Sequence, residues 1–242
     1  MLILFDIDGT LLRTRRPGFD PFEDAGRALH GPAFSMAGVD YAGRLDPDIW
    51  RRAAEANGVD DPAGAEAAFR AQYARTFAAG FERGMECFAL DGAIELVARV
   101  REDPGLTTGV LTGNYPETGR IKLGQAGFDV DGFDVQVWAS DGLHRRDLPP
   151  VALERWRAAG ARTARAEHMV VVGDTPHDVD CARHAGARVI AVGTGPSYGR
   201  QELIPLGPDA FVEDLSDVHG IMDTIGQWRE AASSPARWGT SE

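Results

Sequence analysis

The run Leu2-Ile3-Leu4-Phe5, followed at once by Asp6-Ile7-Asp8-Gly9-Thr10, constrains this chain more than any other stretch. Four apolar residues are too few for a helix, and they end in a glycine turn, so they predict a buried strand that delivers two carboxylates at its end. Asp6 and Asp8 stand two apart in extended chain and point from one face into one shared site. Side by side they repel unless a cation or a proton separates them, and a divalent metal is the simplest remedy. An acidic turn without chemistry would use the same residues, because Asp and Gly are common loop formers. Buried strand ends in open sheets, however, are where ligands gather.

Residues 13–18 turn basic and irregular, which marks an exit from the first unit. From residue 19 to about 87 the chain is Ala-rich and strand-poor, with helices expected at 20–29, 47–57 and 62–81, opened by Asp-Pro starts and closed at glycines. The pattern then changes. Helices are expected at 91–101, 116–126, 149–159 and 178–185, and strands at 107–111, 135–139, 169–172 and 189–192. An edge strand at 209–212 and a helix from 216 to about 229 follow. Such alternation predicts an α/β fold with a parallel sheet covered by helices on both faces. The expected division is a core of residues 1–14 and 88–230, a helical insertion of residues 15–87, and a poorly ordered tail of residues 231–242.

Two further strands end in chemistry. Leu111-Thr112-Gly113-Asn114 places a hydroxyl and two amides at a strand's carboxyl edge, donors suited to a phosphoryl oxygen, although Thr112 or Asn114 would also serve to cap the next helix. Met169 to Asp178 ends in Gly173-Asp174, with Asp178 in the first turn of the following helix. Asp174 suits a hard cation; Asp178 suits a coordinated water or a cationic side chain, and both also suit the positive end of that helix. His177, Cys181 and His184 share one face of the same helix, and a buried Cys181 with two polar neighbours fits that spacing better than a metal site.

In order and spacing these segments resemble the haloacid dehalogenase superfamily: motif I at Asp6 and Asp8, motif II at Thr112, and motif IV at Gly173-Asp174 with Asp178. Gly43-Arg44-Leu45-Asp46-Pro47-Asp48-Ile49 in the insertion is similar to the Gly-Arg-Thr-Asp-Pro-x-Ile of the phosphoglycolate phosphatase-like branch, with Leu45 in place of Thr. The resemblance implies a Rossmann-like core with an inserted C1 cap and a Mg²⁺-dependent phosphatase acting on a small phosphorylated metabolite. Asp6 would be the nucleophile and Asp8 the acid and base. Asp6, the Asp8 carbonyl and Asp174, supported by Asp178, would hold the metal. Thr112, Gly113 and Asn114 would bind phosphoryl oxygens, and Arg44 an anionic leaving group; Asp46 would face the site or cap its helix. Motif III is the departure, because relatives place a Lys there and the only Lys of this chain is Lys122, in the helix after motif II. His144-Arg145-Arg146-Asp147 occupies the matching region, so Arg145 or Arg146 is expected to supply the cation.

Asp8 disfavours a dehalogenase, and an insertion without lysine excludes a Schiff-base phosphonatase. A phosphosugar mutase and a non-catalytic phosphate-sensing or partner-binding module stay open as alternatives. A net charge of −12 opposes binding to nucleic acid or anionic membrane. No apolar stretch approaches the ~20 residues of a membrane span. Cys87 and Cys181 lie far apart, which fits reduced thiols and a cytoplasmic location rather than a disulfide framework.

Overall fold

The structure is a computed structural model and describes residues 1–233. In chain order the elements are β1 (Leu2–Phe5), β2 (Leu12–Arg15), α1 (Pro21–His30), α2 (Asp46–Ala56), α3 (Pro62–Gly80), β3 (Glu86–Ala89), α4 (Ala93–Glu102), β4 (Thr107–Leu111) and α5 (Pro116–Gln125). There follow β5 (Val135–Val137), α6 (Leu148–Ala158), β6 (Met169–Gly173), α7 (Pro176–Ala185), β7 (Arg188–Val192), α8 (Arg200–Leu203), β8 (Ala210–Val212) and α9 (Val218–Ser233).

Six strands form one parallel sheet in the order β5-β4-β1-β6-β7-β8. All four residues of β1 are fully buried, as a central strand covered on both faces requires. Its side chains divide by the two-residue period of a strand. Ile3 and Phe5 enter one core with Val170, Val172, Ile190 and Val192, whereas Leu2 and Leu4 enter the other with Val171, Val189 and Ala191. The strand order reverses at β1: the chain steps outward through β4 and β5 on one side and through β6, β7 and β8 on the other. The carboxyl ends of β1, β4 and β6 therefore flank one crevice, where open α/β sheets receive ligands.

The insertion is helical, as expected. Asp20 caps α1 by accepting from the Phe22 amide at 2.9 Å, and Asp61 caps α3 through the Gly64 amide at 2.9 Å. The three helices meet through aromatics, with Trp50 stacked on Phe69 at 4.1 Å between ring centroids and Phe22 tilted onto the same ring at 4.5 Å.

Two features differ from the sequence reading. The basic stretch opening at Arg13 begins as strand β2, which pairs antiparallel with β3, Leu12 opposite Ala89 and Arg15 opposite Glu86. The ribbon runs through both junctions drawn at 14/15 and 87/88. Its partner strands lie some 70 residues apart and only Leu12 of β2 is fully buried, so no local alternation announced it. The expected tail begins within α9, which continues to Ser233, and residues 234–242 lie outside the described part. Among the described residues no helix is long and apolar enough to cross a membrane.

Candidate active site

The crevice gathers the predicted motifs from three strand ends. Asp6 follows β1, its amide held by the Val172 carbonyl of β6 at 2.9 Å; Thr112 follows β4, its amide held by the Val137 carbonyl of β5 at 3.1 Å. Asp174 follows β6 and accepts from the Thr10 hydroxyl at 3.0 Å. Gly9, at φ +82°, makes the turn between the two acidic strand ends, and a Cβ there would collide with the Asp174 carboxylate. A glycine is thus needed at position 9 for both backbone shape and space.

Among the described residues, Asp6, Asp174 and Asp178 form the one group of three metal-capable side chains, with ligand oxygens within 4.8 Å of one another. Burial, and after it the neighbouring carboxylates, raises the Asp174 carboxyl well above its ordinary pKa. Burial also raises Asp6, against the pull of Arg145 and with the push of Asp178 and Asp8. Two buried oxygen donors that disfavour their own charge fit a hard divalent cation. Asp178 is otherwise committed: one oxygen accepts from the Thr175 amide at 3.0 Å and its hydroxyl at 2.6 Å, and the other receives Arg145. Of the roles open to it from sequence, the structure gives Asp178 the cationic side chain.

The choice between the two arginines is resolved by a tight turn over Arg145–Asp147, closed where Asp147 accepts from the His144 amide at 2.8 Å. Successive side chains of such a turn diverge by about a third of a rotation. Arg145 goes inward, 7% exposed, to Asp178 and to Asp6 at 3.1 Å. Arg146 goes outward to a bidentate pair with Asp180 at 2.6 and 2.7 Å. The expectation for Arg146 is therefore corrected: its charge is spent on the surface of α7.

Arg44 lines the crevice but pairs with Asp40 at 2.9 Å and with Asp48 at 3.4 Å, so the structure does not bring it to Asp6. Its backbone packs on Gly113, where a Cβ would strike the Arg44 carbonyl. Asp46 does not cap its helix. The cap position is Leu45, and the Asp46 carboxylate instead accepts from the Tyr115 amide at 2.7 Å while its own amide donates to the Gly113 carbonyl at 2.7 Å. These bonds stitch the insertion to the loop after β4. Burial pushes the Asp46 carboxyl up to about 6, against Lys122 and the Tyr115 amide.

Lys122 is the residue that sequence reasoning set aside. It is 6% exposed, and its ammonium donates to Asp8 at 2.6 Å and to Asn114 Oδ1 at 2.6 Å. Asn114 in turn donates to Asp8 and to the Thr112 hydroxyl, each at 2.8 Å. Burial works to raise the Asp8 carboxyl, but Lys122 and the two hydrogen bonds outweigh it and hold the group below the usual carboxylate range. The signal was present: Lys122 stands four residues after Thr118, which is fully buried, on the inner face of α5.

His177 and His184 line a groove on the flank of the insertion, with Cys181 buried beneath them, and no three-residue metal group includes them among the described residues. The crevice itself is a cavity of about 230 Å³ between the strand ends and the insertion. It is small, mixed in polarity, and floored by carboxylates with two buried cations.

A family described as haloacid dehalogenase-like hydrolase matches residues 3–183. The tyrosine-protein kinase PtkA of Mycobacterium tuberculosis is 28% identical over 228 residues, covering 93% of this chain and 72% of that protein. The pyrophosphatase PpaX of Halalkalibacterium halodurans is 27% identical over 228 residues, covering 93% and 96%. The crystal structure of a predicted phosphoglycolate phosphatase from Haemophilus somnus shares the fold with a TM-score of 0.65 at 18% identity, covering 91% of this chain and 97% of that one.

Proposed function

The chain belongs to the haloacid dehalogenase-like hydrolases, and from that premise we propose that it is a Mg²⁺-dependent phosphatase which hydrolyses a small phosphate monoester through an aspartyl-phosphate on Asp6. The observation that carries this reading is the meeting of Asp6, Asp174 and Arg145 at the reversal point of the sheet, under a helical insertion. Asp6, the Asp8 carbonyl and Asp174 would hold the metal, with Asp178 behind them, and when bound it supplies positive charge against the phosphoryl oxygens.

The Asp6 carboxylate attacks phosphorus in line with the leaving oxygen and forms the acyl phosphate. Arg145 is fixed by Asp178 and holds Asp6 and an equatorial oxygen in register, while Thr112 and the Gly113 and Asn114 amides bind the others. Asp8, held below the usual carboxylate range by Lys122 and Asn114 on one oxygen, takes up a proton on the other as substrate binds, passes it to the leaving oxygen and then deprotonates the water that releases phosphate. The insertion acts as the cap over residues 15–87: Asp46 joins it to the motif II loop, so its seating against the core and the order of Gly113 and Asn114 rise and fall together. The name of the pyrophosphatase relative supports hydrolysis at phosphorus, and the free thiols of Cys87 and Cys181 support a cytoplasmic location.

The test is release of inorganic phosphate from a panel of small phosphate esters. Release is expected with Mg²⁺ and is expected to fall to background with a chelator, returning when Mg²⁺ is restored. Release that persists unchanged with chelator removes the metal from the proposal, and no release from any ester by folded protein removes the phosphatase reading.

A further inference from the structure

Resting on the metal-dependent phosphatase reading, we infer that Gly195 is a positioning residue for the metal. With Gly9 it forms a slot that holds the Asp174 carboxylate in the orientation of a ligand, and Thr194 straps the two sides of that slot together.

The inference starts from what fixes Asp174, which is 2% exposed. Its Oδ1 accepts from the hydroxyl of the fully buried Thr10 at 3.0 Å. Around Oδ2 the constraint is space. A Cβ at Gly9 would collide with that oxygen, and so would a Cβ at Gly195, which would also stand 3.0 Å from Asp174 Cγ and 3.1 Å from its Cβ. The sheet order explains the arrangement: β6, which delivers Asp174, lies between β1 and β7, so the glycines reach the carboxylate from the loops of its two neighbours. A short side chain caught between two bare backbones keeps few rotamers, and a ligand with its rotamer locked binds a cation at less entropic cost.

The two loops are also tied to each other. The Thr194 hydroxyl donates to the Gly9 carbonyl at 2.5 Å, and the Thr194 carbonyl accepts from Arg13 Nη2 at 2.6 Å. Pro196, with its φ fixed, and Ser197 continue along the cavity wall. Residues 194–197 bring no charge to the site; what they contribute is position.

Gly195 also allows space to be tested apart from backbone shape. At Gly9, φ is +82°, so any side chain there is strained. At Gly195 φ is negative, and an alanine adds the contact alone. Its methyl group must displace the Asp174 carboxylate.

The test titrates Mn²⁺ against the full chain, following the electron paramagnetic resonance of the free ion, in wild type, Gly195→Ala, Thr194→Val and Gly199→Ala. In Gly195→Ala the Kd is expected to rise about 10- to 100-fold, the usual cost of disturbing a group that orients a metal ligand. Thr194→Val keeps the shape and loses the strap, and a rise of about 2- to 10-fold is expected for one hydrogen bond. Gly199→Ala is the control, since among the described residues its added Cβ meets Glu202 Oε2 alone, at an ordinary 3.7 Å; it is expected to bind as wild type does. In turnover, the Mg²⁺ concentration for half-activation of Gly195→Ala is expected to rise by a similar factor, with most of kcat recovered at saturating Mg²⁺. A packing role alone would lower the melting temperature in chelator and leave the Kd unchanged.

An unchanged Kd in folded Gly195→Ala, or an equal rise in Gly199→Ala, overturns the inference. If the alanine prevents folding, an unchanged Kd in Thr194→Val does so. Wild type that binds Mn²⁺ but releases no phosphate from any ester overturns the phosphatase reading and leaves the slot standing.

Discussion

Phosphate release by Asp6→Asn is expected to fall about 10⁴-fold or more, as for removal of a covalent nucleophile elsewhere. Asn matches the shape of Asp but cannot carry the phosphoryl group. The fold should survive, because what anchors position 6 is the backbone bond to the Val172 carbonyl at 2.9 Å and not the carboxylate. Burial disfavours the charge at Asp6, and the facing Asp178 and Asp8 add to that. Removing it relieves repulsion at the strand ends, although Arg145 loses one partner. The melting temperature is expected to stay close to that of wild type while the activity disappears. A substantial residual rate in pure Asp6→Asn protein would remove Asp6 from the nucleophile's role.

Arg145→Met is expected to harm both activity and stability. The guanidinium is 7% exposed and sits between Asp6, 6% exposed, and Asp178, fully buried. Deleting it leaves two buried carboxylates without their shared cation, a loss of about 3–5 kcal/mol for breaking a buried pair. The same change strips the phosphoryl group of a fixed donor, worth about 10²–10³ in rate. Denaturant unfolding separates the causes. If the loss of stability comes from uncompensated charge, Asp178→Asn added to Arg145→Met should recover part of it without recovering turnover. Equal stability of Arg145→Met and wild type would show that Arg145 does not neutralise this cluster.

These two residues also mark where the sequence was legible. Asp6 could be read because its chemistry is local: four apolar residues, a carboxylate and a glycine turn are adjacent in the chain. The same holds for Thr112 and Asp174, each at the end of its own apolar run, and the strand order places the three ends together. Arg145 was legible only as one of a pair, since a one-residue difference in phase within a tight turn decides which side chain enters the core.

Lys122, Asp46 and the β2–β3 ribbon were less legible for a shared reason. Each acts through a partner more than 65 residues away, and local spacing does not carry such pairings. Lys122 is placed by sequence only in the helix after motif II, and its register with the buried Thr118 is what turns it inward. Arg44 differs in the opposite way: its motif matches except at Leu45, and Asp40 and Asp48, neighbours within its own segment, pair with its charge.

The most direct test of the central claim is a crystal structure of the protein with Mg²⁺ and beryllium trifluoride, a mimic of a phosphoryl group on a carboxylate. The account predicts beryllium bonded to an Asp6 oxygen, with the fluorides facing Arg145, Thr112 and the Gly113 and Asn114 amides. Beryllium trifluoride bonded to another carboxylate, or held away from Asp6 by an intervening water, would contradict it.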